Sequence, residues 1–449
     1  MQQHASITTM FAGAALCFVA SVVFAQPADA ERVTLTVDDA VQMAMEHNIT
    51  VARNKITLES SARADSHSWN SVSPSLSMTG GVSAPDGLGD GGDLSDYSLS
   101  LRGSLSLSFS PNLFTAMKSA RLSYEQGEIS YEQVCRTVEL NVRVAFYGLL
   151  YERENITVQE RNLQTAKEQY EQNRAKYNQG RMSELDVLSA EVKYKTLEPT
   201  VESAYVTFHN DLAAFKQLLG MDIHTAADLQ GSLDDALVTG EVRMDGLDIT
   251  SPTVLSLQKQ IENAHVSLRS ARFSAYAPTL TASWQHGLIP ASGAHIAAAS
   301  ELGTAGTVSL TATIPLDGLL PWSSRADGVA AAQDRIADLE LQLADAEKSF
   351  AVSTESALRK IRQSQSSIKS QQANVDLAQR SYDMTLQAYN RGAKDLLSLQ
   401  NASDSLLAAQ MSLKSEQRTL INAVLELENT IGVPFGTFIN KMSEQGDAK

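Results

Sequence analysis

The side chains best placed for chemistry are the four carboxylates of Asp86-Gly87-Leu88-Gly89-Asp90-Gly91-Gly92-Asp93-Leu94-Ser95-Asp96. Carboxylates on a glycine-rich loop suit calcium, but the EF-hand order of ligands and its closing Glu are missing, so a solvated loop is expected. The eight His are scattered, with no helical pair to hold a metal. No nucleophile–base constellation, Walker loop or dinucleotide fingerprint occurs. The chain is therefore expected to have no catalytic residue and no cofactor.

What the chain offers instead is an element written twice. Tyr177-Asn178-Gln179-Gly180 stands 40 residues before Leu219-Gly220, and Tyr389-Asn390-Arg391-Gly392 stands 40 residues before Ile431-Gly432. The offset is 212 at both landmarks, from 177 to 389 and from 220 to 432. Upstream, Ser73-Pro74-Ser75-Leu76 answers Ala277-Pro278-Thr279-Leu280 and Pro111 answers Pro315, now at an offset of 204. Repetition on this scale dictates architecture before any local motif does. The expected organisation is a signal peptide at 1–25, a first repeat at 26–220, a linker at 221–250, a second repeat at 251–432 and a tail at 433–449.

The signal peptide is read from a charge-free start with an apolar run over residues 11–24, cleaved after Ala25 or Ala30. That run is shorter than the ~20 residues of a membrane helix, and Leu16 before Cys17 argues against lipidation. Cleavage leaves the net charge at −16, which disfavours a nucleic-acid partner. It also leaves Cys135 as the one thiol, so packing or assembly must hold the fold.

Each repeat should open with a helix. The first starts at the Thr36 cap, carries Ala40, Met43, Ala44 and Ile49 at helical spacing, and runs to about Trp69; the second runs from about Ser251, with Pro252 in its first turn, to about Phe273. The period then changes from 3.6 to 2. Residues 75–83 and 97–110 set Leu76, Met78, Leu101, Leu105, Leu107 and Phe109 against serines, and the second copy repeats this around Leu280, Trp284, Val308 and Leu310. Four strands result, each near the ~9–11 residues of a tilted transmembrane strand, with one apolar and one hydroxyl-rich face.

Long heptad seams follow, from Val138 through Leu149, Ala166 and Asn173 to Tyr177 and from Val329 through Ile336, Ile361 and Tyr382 to Tyr389. A helix of more than ~60 residues would reach about 90–100 Å. The Tyr-Asn-x-Gly element turns the chain back, because glycine readily takes the left-handed conformation that ends a helix. The returning helix is about half as long, and the opening helix supplies the other half. Pro199 should kink the first return helix, whereas Met411 at the equivalent position should not.

Four strands cannot close a membrane barrel, whose smallest members have about eight. Open edges are not tolerated in lipid, so chains must pool their strands, two giving eight or three giving twelve. Leu35-Thr36-Val37-Asp38-Asp39-Ala40-Val41, the paired Pro-x-Leu strand starts and the Tyr-Asn-x-Gly returns together resemble the TolC family of outer-membrane efflux proteins over almost the whole exported chain. The resemblance implies a homotrimer in outer-membrane lipid, spanning into the periplasm. The fold class is then mainly α with a small β part: long coiled-coil hairpins forming a periplasmic α-barrel, plus four strands per protomer contributing to a trimeric twelve-stranded transmembrane β-barrel.

It also implies a passive channel for efflux or type I secretion, docked to a periplasmic membrane-fusion adaptor and an inner-membrane ABC or proton-driven pump. The family's gating latch maps to Asp186, Tyr389 and Lys394, with a phenol and an ammonium reaching one carboxylate. Its pore constriction maps to Ser398 and Asn401, with Asp404 one turn along as a source of charge. Adaptor-docking tips are expected around Gly180, Leu185, Leu188, Gly392, Leu396 and Leu397. The alternative is a periplasmic coiled-coil adaptor or scaffold without channel activity, which should show one hairpin interrupting a lipoyl-like β-domain.

Overall fold

The computed structural model describes residues 33–83, 98–238, 251–290 and 302–438, with positions 240, 242, 244 and 249 of the linker. The expected signal peptide, the acidic loop and the tail beyond 438 lie outside the described residues. The chain runs β1 (Val33–Leu35), α1 (Val37–His47), α2 (Ile49–Ser66), β2 (Ser75–Ser83), β3 (Ser98–Phe109), α3 (Asn112–Asn178), α4 (Glu184–Leu219), β4 (Ala227–Leu229), α5 (Pro252–Tyr276), β5 (Thr279–Pro290), β6 (Leu302–Thr313), α6 (Ser324–Asn390) and α7 (Leu396–Ile431).

The two long hairpins keep the duplication residue for residue. The outgoing helices α3 and α6 each span 67 residues, and the returns α4 and α7 each span 36. At ~1.5 Å per residue the long helices reach about 100 Å. The change of offset from 204 to 212 falls between β6 and α6, where a short turn at Asp317–Leu319 is tied back by Arg325 to Asp317 at 3.0 Å. It thus sits at the strand end of the rods, away from the Tyr-Asn-x-Gly tips.

As expected, a long rod lies beside a broken one in each copy: α2 and α4 line α3, and α5 and α7 line α6. Both α5 and α7 also pack on α3, joining the copies. The opening helix of the first copy differs from expectation, because it is two helices broken at Asn48. The buried Asn48 side chain accepts the Thr50 N–H at 2.7 Å to cap α2 and donates to the Leu218 carbonyl at 2.7 Å at the end of α4. One residue therefore closes the joint between the two half-rods. Pro199 lies inside α4, which runs through it without a break.

The core sits at this joint, midway along the rods. Phe146, Leu149 and Leu150 of α3, Phe215 and Leu219 of α4, Ala40 and Ala44 of α1, and Leu425 of α7 are buried together under a short parallel pair, Leu35 of β1 opposite Leu229 of β4. This pair was not expected, since three residues carry too little alternation to register. The linker is tied over the joint by side chains of three helices. Arg153 donates to the Leu229 and Gly231 carbonyls, Gln417 to Asp234, and Gln365 to the Val238 and Gly240 carbonyls.

At one end of the rods the four strands form one antiparallel sheet in the order β2-β3-β5-β6. Its register pairs Leu76 with Leu105, Leu105 with Trp284 and Trp284 with Val308 on one face. Hydroxyls meet on the other: Ser75 with Ser106, Ser77 with Ser104 and Ser283 with Ser309, each at 2.7 Å. The apolar face is bare, with Leu76, Met78, Val308 and Leu310 between 72% and 80% exposed. An uncovered face of this kind, on a sheet with two free edges, calls for lipid on the face and further strands at the edges.

Candidate functional site at the helix tips

Opposite the sheet, each hairpin turns through the same closure. Gly180 N–H donates to the Tyr177 carbonyl at 2.8 Å and Arg181 N–H to Lys176 at 2.9 Å; Gly392 and Ala393 repeat this with Tyr389 and Ala388, both at 2.9 Å. The two glycines take φ of +68° and +75°, the left-handed conformation that ends a helix with its last carbonyls satisfied.

The return helices then start with their capping residues exchanged. In α4 the Ser183 hydroxyl accepts the Asp186 N–H at 3.1 Å and donates to the Asp186 carboxylate at 2.6 Å. In α7 the cap is Asp395, whose carboxylate accepts the Ser398 N–H at 2.9 Å. The hydrogen bonds from the Ser398 side chain and backbone hold the Asp395 carboxyl below its ordinary range.

Of the expected latch residues, Asp186 and Tyr389 are close but not joined as expected within one chain. The Tyr389 phenol donates to Asn173 Oδ1 at 2.7 Å, and Lys176 Nζ stands 5.3 Å from the ring centre. Burial pushes the phenol pKa up; the Asn173 bond opposes that shift and the Asp186 charge adds to it. Asp186 is thus near the phenol, but its carboxylate is occupied by Ser183, a cap three residues away. Lys394 is exposed and makes no ion pair among the described residues. Sequence reasoning missed Asn173 as a partner, although it stands on the heptad seam one turn before Tyr177.

Of the expected constriction residues, Ser398 is half-buried and Asn401 is exposed. Asp404 is ion-paired with Lys193 of α4. The carboxylate proposed as a source of charge is therefore largely neutralised by a cation the sequence gave no reason to place there. Leu185, Leu188 and Leu397 of the docking set are exposed, at 72%, 56% and 62%. Leu396 is corrected: at 5% exposure it is buried, as Leu399 is, on a helix that packs along α6 and α3. Val192, 59% exposed, continues the Leu185–Leu188 stripe at helical spacing and was not singled out. Among the described residues no cluster of His, Cys, Asp or Glu could hold a metal ion.

A model of a protein family described as outer membrane efflux protein matches residues 38–221 and 248–433, the two repeats in turn. No curated relative matches the sequence. Among solved structures the chain is similar to the Campylobacter jejuni CmeC outer membrane channel, with a TM-score of 0.71 and 16% identity over 91% of this chain and 89% of that one. It is similar also to the Vibrio cholerae outer membrane protein VceC, with a TM-score of 0.69 and 15% identity over 89% and 96%. The open state of the Neisseria gonorrhoeae MtrE outer membrane channel gives a TM-score of 0.69 and 16% identity over 88% and 89%. At these identities the likeness is one of fold.

Proposed function

The chain belongs to the outer membrane efflux protein family, and from that membership we propose how this member closes, gates and couples its channel. As a member it is a passive outer-membrane efflux channel that extends into the periplasm, and channels of the family are trimers working with adaptor and pump partners. Three copies of the present chain pool four strands each into a twelve-stranded barrel, and their hairpins continue it as a helical tunnel. One observation carries this reading: a sheet with two free edges and a bare apolar face stands at the end of ~100 Å hairpins. The adaptor alternative would need one hairpin set into a β-domain, which two hairpins sharing a terminal sheet do not resemble.

The tips form the gate, with Tyr389, Asp186 and Lys394 at its mouth. Lys394, exposed on its own chain, is available to a carboxylate of a neighbouring copy. The constriction of Ser398, Asn401 and the neutralised Asp404 gives weak preference for cations. The stripe of Leu185, Leu188 and Val192, with Leu397 and the turns at Gly180 and Gly392, receives a periplasmic adaptor that couples the duct to an inner-membrane ABC or proton-driven pump, for efflux or type I secretion. The test is mass measurement in detergent followed by planar-bilayer conductance. A trimer that inserts and conducts is expected, and a monomer that stays in solution without detergent would overturn the proposal.

A further inference from the structure

The eight residues by which the second copy exceeds the first form an apolar turn. The offset is 204 at Pro111 and Pro315 and 212 where α3 and α6 begin, at Asn112 and Ser324, so Leu316-Asp317-Gly318-Leu319-Leu320-Pro321-Trp322-Ser323 has no counterpart. Its four large apolar side chains face outward: Leu316, Leu319 and Trp322 are 68%, 69% and 81% exposed, and Leu320 is 43% exposed. The backbone that carries them is fixed. Leu319 N–H donates to the Leu316 carbonyl at 3.1 Å, Leu320 N–H to Asp317 at 2.9 Å and Ser323 N–H to Leu320 at 3.0 Å. Arg325 pairs with Asp317 and donates to the Ser274 carbonyl, and Gly318 lies so close to the end of α5 that a Cβ there would collide with the Ala275 carbonyl. The turn thus satisfies its polar groups on its own chain and leaves its apolar ones without cover.

Its place in the fold says what covers them. Val308, Leu310, Ala312 and Ile314 alternate along the apolar face of β6, and Ile314, 61% exposed, leads directly into Leu316. The first copy marks the same level: Phe109, on the apolar face of β3, meets Phe114 of α3 edge-on with ring centres 6.4 Å apart. Phe114 and Phe273 line a cavity of about 200 Å³ there with Lys118 and Arg269, and Arg269 makes no ion pair among the described residues. Leucines and a tryptophan at one level, with basic groups beside them, suit the boundary between lipid headgroups and acyl chains. A second copy of the chain is the poorer occupant. The turn leans back over α5, whose strand β5 lies inside the sheet, and away from the free edge of β6 where a further strand is added.

We propose that this insertion is a membrane foot: Leu316, Leu319, Leu320 and Trp322 seat among the phospholipids of the periplasmic leaflet and fix how deep the barrel sits. The inference rests on the channel reading above and deepens it. Its test uses the full trimer in phosphatidylcholine vesicles and the three tryptophans of the chain, Trp69, Trp284 and Trp322. Trp69→Phe with Trp284→Phe leaves Trp322 alone. Trp69→Phe with Trp322→Phe leaves Trp284, midway along the apolar face of β5, as the reference. Lipid brominated near the headgroup end of its chains should quench Trp322 more than lipid brominated near the bilayer centre, placing the indole about 5–10 Å inside the headgroup boundary. Trp284 should show the reverse order, and aqueous iodide should leave Trp322 bright. Leu316→Ser, Leu319→Ser and Leu320→Ser together should lose the lipid quenching of Trp322 and gain iodide quenching, with single-channel conductance unchanged.

A spin label at Leu319→Cys in a Cys135→Ser background reads the same depth with all three tryptophans in place, from its access to oxygen against a water-soluble nickel complex. Oxygen access should dominate. Trp284 unquenched by either brominated lipid would overturn the channel reading itself. With Trp284 quenched from the deep position, iodide or nickel access to the turn would overturn the foot by placing it in water. Protection of Trp322 from iodide and from both lipids would overturn it too, by placing a second copy of the chain over the turn.

Discussion

Gly180, Gly220 and Gly392 share nearly one backbone conformation, with φ of +68°, +73° and +75°, but not one environment. A Cβ at 180 or 392 would meet nothing within 4 Å, whereas at 220 it would stand 2.6 Å from the His47 carbonyl oxygen. Alanine at a tip should therefore cost only the left-handed backbone, about 1–2 kcal/mol. At 220 overpacking of about 1–3 kcal/mol is added, for a total of roughly 2–5 kcal/mol. His47 cannot simply step aside, because its neighbour Asn48 is fixed by the Leu218 carbonyl and the Thr50 N–H, both at 2.7 Å. Unfolding of the three alanine variants in detergent, measured side by side, separates the two contributions. Hydrogen exchange should place the loss around residues 47–51 and 215–221. If Gly220→Ala unfolds with Gly180→Ala and Gly392→Ala rather than well before them, the close approach at the half-rod joint is not what the geometry says it is.

The Glu152 carboxyl is raised from 4.5 to about 7, first by burial and then by Asp211, against the pull of Arg418. Folding thus favours its protonated form, so stability should be greatest below the ordinary carboxylate range and fall as pH rises toward 7. Glu152→Gln should flatten that slope in thermal melts followed across pH. Replacing Leu185, Leu188 and Val192 by Ser should shift folding stability by only about 0.5 kcal/mol each, as exposed sites do. Efflux in cells should nonetheless fail while bilayer conductance survives. Lys193→Met should release the Asp404 carboxylate. A charge ~10 Å from an ion in water is worth about 0.4 kcal/mol, three in a trimer about 1.2, and screening at ~0.1 M salt leaves about 0.4, so reversal potentials should show roughly a twofold gain in cation preference.

Much of this was legible in the sequence, because hydrophobic period and repetition are local signals. The heptads from Val138 to Tyr177 and from Val329 to Tyr389 announced α3 and α6, and the serine alternation announced all four long strands. The break at Asn48 was not legible: helical spacing continues from Ala44 to Ile49, and the reason for the break is the Leu218 carbonyl, 170 residues on. Lys193 opposite Asp404 and Asn173 opposite Tyr389 likewise pair residues 211 and 216 positions apart. Neither half of such a pair marks itself. Leu396 misled for the opposite reason, since a leucine in a first helical turn reads the same whether it faces solvent or the neighbouring helix.

The exchange of caps shows how two copies can keep one shape and present different chemistry. Ser183 and Asp186 correspond at the 212 offset to Asp395 and Ser398, so the same two residue types occupy the two positions in reverse order. Either order supplies an oxygen for the first free N–H groups of a return helix, and the fold is indifferent to the choice. The mouth of the duct is not indifferent. In the first copy the carboxylate sits in the first turn of α4, near enough for its charge to reach the Tyr389 phenol; in the second it sits three residues earlier, next to Lys394. Equal helix lengths are required to close one tunnel from two hairpins, so divergence between the copies had to proceed through side chains that leave length untouched. The exchanged caps are a change of that kind, and they lie at the tips of the hairpins.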